Sequence, residues 1–227
     1  MTGEHVTLEK THVGQLARAL KEPYSGVEVA RIDDFSLSVF LCEGTIAWHR
    51  HVDEDEMFLV YSGAMTIESE LGPVFLRAGE VTVIPKGVRH RSASPIRTEV
   101  LLFQPYLFAD RRNGDRRPYY ALDEKGGLSR VNLYTMAMNV AERFLPEHVI
   151  SIGEFDLRLV VCEGDSDEQT DDRGAVLLLV QQGELRLTAG SGETNLFVGD
   201  VVIIPRGTPW AVSAPKRALL LEFVRHQ

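Results

Sequence analysis

The chain has 227 residues and a formal charge of −9, which repels phosphate backbones and anionic lipid and argues against nucleic acid and membrane as partners. Its 44 % hydrophobic content is ordinary for a globular protein, no apolar run approaches the roughly 20 residues that span a bilayer, and MTGEHVTLEK lacks the basic start and apolar segment of a secretory leader. The two cysteines, Cys42 and Cys162, are too few for a disulfide framework and read as reduced, buried thiols of a cytoplasmic protein.

In chain order, Val13, Leu16, Ala17 and Leu20 first suggest a short helix. Short apolar runs then recur, among them MFLVYSG, VFLRAGE, VTVIP and VLLFQP, punctuated by Gly, Pro, Ser and Asn. Leu71-Gly72-Pro73 reads as a hairpin turn. Residues 109–127 are charged and aperiodic and read as a linker or long loop. Arg111, Arg112, Arg116 and Arg117 make this stretch locally basic. The simpler reading is a solvated loop; the sharper one is a flap that meets an anionic substrate. Leu133, Met136, Ala137, Val140, Ala141 and Phe144 then fit one face of a helix that Pro146 would stop. Further strands follow, with a second hairpin turn at Gly190-Ser191-Gly192.

The chain repeats itself. LSVFLCEG (37–44) returns as LRLVVCEG (157–164), and GEVTVIPKG (79–87) as GDVVIIPRG (199–207), both 120 residues later. Phe35 and Phe155, Gly63 and Gly183, Pro95 and Pro215, and Arg97 and Arg217 keep the same offset. A constant register over that length means a duplicated domain. Many short strands with turn punctuation predict an all-β barrel or jelly roll in each copy, opened by a short helix. The expected organisation is a first domain at 1–108, a charged linker at 109–130 and a second domain at 131–227.

The segment GTIAWHRHVDEDEMFLVYSG, residues 44–63, carries the chemistry. His49 and His51 alternate, so on a strand both imidazoles would face one side. A turn through Val52–Asp55 would fold the next strand back, so that Glu56 faces them. His90 follows a Pro85–Gly87 turn and starts another strand. Three imidazoles and a carboxylate suit a divalent first-row metal. Strand parity puts Phe58 and Val60 on the face of Glu56, and Ala47 on that of His49, giving a partly apolar candidate substrate pocket. Arg50, Arg89 and Arg91 have the opposite parity and are expected to meet carboxylates on the outer face.

These motifs resemble those of the cupin superfamily. Gly44, His49, His51, Glu56 and Gly63 match its first motif, with the first spacing one residue short, and Gly79, Pro85, Gly87 and His90 match its second, although Ser94 stands where Asn is frequent. The first copy is especially similar to small cupins described as mannose-6-phosphate-isomerase-like. The resemblance implies two tandem double-stranded β-helix barrels, with one metal ion per chain (Fe, Mn, Ni, Co or Zn) held by His49, His51, Glu56 and His90. The second copy has Gln169, Asp171, Val176 and Trp210 at the ligand positions, and Val176 and Trp210 cannot ligate. It is therefore read as a structural or docking domain, or as a metal-free pocket in which Trp210 stacks on a ligand.

Four protein ligands leave one or two metal positions open to substrate, water or O₂. The expected function is a metal-dependent enzyme acting on a small organic molecule, with a dioxygenase-like oxidoreductase favoured over a lyase. The alternatives are a non-catalytic cupin that binds or senses a small molecule, and a sugar-phosphate-type isomerase. No catalytic acid–base pair and no organic cofactor site can be assigned. The two copies are expected to pack as an intramolecular pseudo-dimer, with a homodimer as the second arrangement.

Overall fold

A computed structural model describes residues 8–106 and 126–226. The elements run β1 (Lys10–His12), α1 (Val13–Ala19), β2 (Gly26–Ile32), β3 (Phe35–Thr45), β4 (Glu56–Ser62), β5 (Ala64–Ser69), β6 (Val74–Arg77), β7 (Glu80–Ile84) and β8 (His90–Pro105). The second copy runs β9 (Val131–Asn132), α2 (Leu133–Asn139), β10 (Glu147–Ile152), β11 (Phe155–Asp165), β12 (Val176–Gln182), β13 (Glu184–Ala189), β14 (Gly192–Phe197), β15 (Asp200–Ile204) and β16 (Trp210–Arg225). The all-β architecture and the helix that opens each copy agree with the sequence reading, as do the turns at 71–73 and 190–192. Cys42 and Cys162 are buried free thiols.

Among the described residues these elements form two eight-stranded antiparallel sheets. One has the order β2-β3-β8-β4-β7-β9, with β5 joining β8 and β6 joining β5. The other has the order β1-β15-β12-β16-β11-β10, with β13 joining β16 and β14 joining β13. The long strands β3 and β8 pair from Phe35–Pro105 to Thr45–Ala93. Their equivalents β11 and β16 pair from Phe155–Arg225 to Asp165–Ser213. Both pairings shift register at the same place, Cys42/Gly44 and Cys162/Gly164. A shift of this kind bends a strand so that it can serve both halves of a barrel.

The compact units do not follow the simple cut at 108 and 131. Among the described residues, the first barrel comprises 15–106, 126–133 and 150–153, and the second comprises 8–14, 134–149 and 154–226. The first barrel thus owns β9, which pairs with β7 through Glu80–Asn132 and Val81–Val131. The second owns β1, which pairs with β15. The join is made the same way in each: Leu133 N–H donates to Gly79 O at 2.9 Å, and Val13 N–H to Gly199 O at 2.8 Å. These bonds engage an otherwise unpaired amide at each helix start.

The helix at 133 is shorter than its apolar spacing predicts. It ends at Asn139, and Phe144 sits at φ 61° instead of in the last turn. A guanidinium caps the shortened helix. Arg217 Nη2 donates to Ala137 O at 2.7 Å, a carbonyl that also receives the Val140 N–H at 3.4 Å. Arg97 Nη2 does the same to Ala17 O at 2.7 Å in the first barrel. The repeat partners Arg97 and Arg217 are therefore helix C-caps.

The interiors differ. The second barrel is packed with apolar side chains that include Val176, Leu178, Trp210, Val212 and Leu220. Trp210 is only 3 % exposed. That filled interior argues against Trp210 as a stacking platform. The first barrel packs Cys42, Val60, Met65, Ile67 and Val100 at its base but remains open above them. The linker arginines Arg111, Arg112, Arg116 and Arg117 lie outside the described residues.

Candidate metal centre

His90, Glu56, His51 and His49 converge in the open end of the first barrel. Each offers a ligand atom, and these atoms all lie within 4.8 Å of one another. Glu56 opens β4 and His90 opens β8, so two of the four are anchored on strands. The histidines at 49 and 51 are placed differently from expectation. Residues 46–55 are not a regular strand, and β4 pairs with β7 and β8 instead of folding back on them. His49 is held by an isolated two-residue bridge to His90: its N–H donates to His90 O at 2.9 Å, and His90 N–H donates to His49 O at 2.8 Å. His51 is pinned by its carbonyl, which accepts from Gly87 N–H at 2.6 Å. Asp55 Oδ1 accepts from Lys86 N–H and ties the intervening turn to the same loop. A loop clipped to the 85–90 turn therefore supplies two imidazoles.

Ring orientation is set from behind. His49 Nδ1 lies 2.9 Å from Ala47 O and His90 Nδ1 lies 3.0 Å from Val88 O. With Nδ1 protonated toward a carbonyl, each Nε2 keeps its lone pair for the centre. His90 Nε2 stands 3.1 Å from Glu56 Oε2, and His51 Nε2 stands 3.4 Å from Glu56 Oε1. Yet His90 Nε2 and Glu56 Oε2, both buried, lack an aligned hydrogen bond. Buried polar atoms rarely go unpaired. A cation between them would satisfy both, so the donor set fits a divalent ion.

Electrostatics follow from this packing. Burial lowers the pKa of His51, aided by His49 and His90 and opposed by Glu56. Burial also works against protonation of His90, but the facing Glu56 carboxylate and the Val88 carbonyl outweigh it and raise its pKa. Nearby Glu54 is raised by burial and by the charges of Glu56 and Asp53. Any proton on His90 Nε2 would have to leave for a cation to be held there.

The cluster opens on a cavity of about 370 Å³. Phe58 lines it, as parity suggested. Val60 shares that face but is wholly buried in the core below. Ala47 is exposed, since its parity argument assumed a strand that does not form; its carbonyl orients His49. Sequence reasoning missed Tyr24, Glu28, Ser38, Phe40 and Gln104, which also line the cavity. They lie on β2, β3 and β8 or just before them, and the 2-residue period of those strands was their only signal. Of the flanking arginines, Arg91 meets Glu68 at 2.7 Å, and both Arg89 and Arg91 lie over the Trp48 ring.

The second barrel retains the backbone plan without the ligands. Gln169 and Trp210 form the same isolated bridge as His49 and His90. Asp171, the counterpart of His51, pairs with Arg173. Burial disfavours its charge, but the guanidinium wins and holds its carboxyl below the usual range.

Comparison with known proteins agrees with this geometry. Residues 39–102 match the Cupin domain family. The uncharacterized protein YdbB of Bacillus subtilis (strain 168) is 31 % identical over 84 residues, which are 37 % of this chain and 74 % of that one. A cupin 2 conserved barrel domain protein from Leptotrichia buccalis has TM-score 0.73 at 10 % identity over 100 % of both chains. Salicylate 1,2-dioxygenase from Pseudaminobacter salicylatoxidans has TM-score 0.73 at 12 % identity, covering 98 % of this chain and 85 % of that one. A deletion mutant of Bacillus subtilis oxalate decarboxylase has TM-score 0.63 at 15 % identity, covering 99 % and 79 %. At these identities the structural matches speak for the fold, and together with the family match they show that the chain belongs to the cupin family, with two cupin-like barrels in tandem.

Proposed function

We propose that the first barrel is the metal-dependent active site of an enzyme acting on a small organic molecule, with dioxygenase-like oxidoreductase chemistry favoured. The observation that carries this reading is the convergence of His49, His51, Glu56 and His90 on a roomy, partly apolar cavity. Those four residues would hold one divalent first-row ion. Such an ion, when bound, supplies Lewis acidity and an open position for substrate or O₂. The chain's own contribution is to fix the imidazoles through Ala47 O and Val88 O and to place Phe58 and Leu102 against the ligand, excluding water. Likeness to a dioxygenase and to a decarboxylase supports metal chemistry in this fold, with decarboxylation as the second reading. The sugar-phosphate alternative rests on the arginines at 111–117, outside the described residues. A cytoplasmic setting is proposed from the two free, buried thiols.

Elemental analysis of the purified protein is expected to find about one divalent metal per chain, with His90→Ala and Glu56→Gln each reducing it at least tenfold. Unchanged metal content in both variants would remove the basis of the proposal. Oxygen uptake on addition of a phenolic or enolic substrate supports the oxidoreductase reading, whereas turnover under strict anaerobiosis supports the lyase.

A further inference from the structure

The wall facing the metal cluster is built from side chains in cross-strand register. Glu28 pairs with Ser38, Ser38 with Leu102, and Leu102 with Phe58, so these four form one inward row across β2, β3, β8 and β4. Deeper lies the row begun by Gly26 and Phe40. Gly26 adds no side chain there, and Phe40 meets Phe58 edge to face with ring centroids 6.2 Å apart. Phe58 in turn stands edge-on to His90 at 6.2 Å. With Ile46 and Leu102 these rings shape an apolar slot that leads to the metal cluster.

The polar groups of the slot are neutral or acidic. Ser38, Gln104 and Tyr24 line it, and Glu28 brings a carboxylate to its outer end. The Tyr24 hydroxyl is already within hydrogen-bond distance of Ser92 O and Gly44 O, so it shapes the wall more than it recognises a ligand. Arg31, on the same strand as Glu28, is committed: Nη2 donates to Glu28 Oε2 at 2.7 Å, and its guanidinium lies 3.6 Å from the centre of the Tyr106 ring. Among the described residues, the lining contains neither lysine nor arginine. A divalent ion held by Glu56 and three neutral imidazoles would carry one net positive charge, enough for one anionic donor of the substrate. A second negative charge at the far end would find no free cation to pair with, since Arg31 is already held by Glu28, and would lose hydration against Phe40 and Leu102.

We infer that the Phe40–Phe58–Leu102 slot, closed at its outer end by Glu28 and Ser38, selects a flat substrate with one chelating end and an uncharged or cationic, hydrogen-donating far end, and disfavours carboxylic acids. The inference rests on the metal-site reading above for the chelating end alone. It sets this cavity apart from what the acids named for the similar salicylate and oxalate enzymes would suggest.

Full-length protein is to be loaded with redox-inert Zn(II), its zinc content measured, and three probes with one chelating head titrated by calorimetry at pH 7: 3,4-dihydroxybenzyl alcohol, dopamine and 3,4-dihydroxybenzoate. The first two are expected to bind at least tenfold more tightly than the acid. Glu28→Gln should narrow that gap to about threefold with zinc content unchanged, and Phe40→Ala should weaken all three probes. Equal or tighter binding of the acid, no binding of any probe to zinc-loaded protein, or a gap untouched by Glu28→Gln overturns the inference. Failure to retain zinc instead counts against the metal reading. The selectivity then stands if the metal-free protein ranks the probes in the same order and Glu28→Gln erases the ranking, and falls otherwise.

Discussion

Glu222 stands where the first barrel has Leu102, and it faces the packed interior of the second barrel beside Arg158 and Leu178. It is 4 % exposed, and its Oε1 has no hydrogen-bond partner. Burial raises its pKa to about 7; Arg158 partly opposes this and Asp171 adds to it. The folded state therefore holds a proton that the unfolded chain releases near pH 4.5, so stability falls as pH rises from there through 7, then levels off. The cost above pH 7 is about 3 kcal/mol. Glu222→Gln is expected to be more stable than the parent by about 1–3 kcal/mol at pH 8 and nearly equal at pH 5 in denaturant titrations; a parallel pH profile for both proteins would refute it. The same scale shows what the chain reveals unaided. His49, His51, Glu56 and His90 were legible because two turns carry them in short, spaced motifs. Ala47 was misread because parity holds only on a strand. Glu28, Ser38 and Gln104 were hidden because their convergence depends on non-local register, which a linear pattern does not encode.

At the scale of elements, glycines mark where strands close on one another. A Cβ at Gly63 (φ +89°) would sit 2.5 Å from Thr98 Oγ1 and 3.0 Å from Arg97 O. At Gly87 (φ +81°) it would meet nothing within 4 Å. Both substitutions carry the left-handed backbone penalty of roughly 1–2 kcal/mol, and only the first adds a clash. Thermal unfolding should therefore rank Gly63→Ala about 2 kcal/mol or more below Gly87→Ala. The repeat made both glycines visible in sequence, but it could not say which of them is crowded. Helix α2 teaches the same lesson. Its apolar spacing runs on to Phe144, yet the helix ends at Asn139, and Arg217, 80 residues downstream, caps the Ala137 carbonyl. Periodicity reports which residues prefer an apolar face; it does not report distant partners for the backbone.

For the whole molecule, duplication was legible from the constant 120-residue offset, and so was the loss of ligands in the second copy. The ownership of the short strands was not. In the first barrel β9 completes the β7 edge, and Thr82 Oγ1 donates to Ser129 O nearby. A chain ending at residue 133 should consequently unfold at a higher temperature than one ending at 108, by several degrees for each kcal/mol recovered. Equal midpoints for the two would mean that β9 contributes little to its barrel.

The reciprocal placement of β1 and β9 also bears on inheritance. Lys10 lies at the head of the chain, yet its ammonium meets Asp200 at 3.0 Å and the Asn195 carbonyl at 3.0 Å, both in the second barrel. A lesion at residues 8–14 is therefore a lesion of the second barrel, and one near residue 131 strikes the barrel that holds the His49, His51, Glu56 and His90 cluster. Genetic position and physical address are crossed in this chain. A deletion scan read along the sequence would assign the phenotypes of residues 8–14 and 131–133 to the wrong barrel.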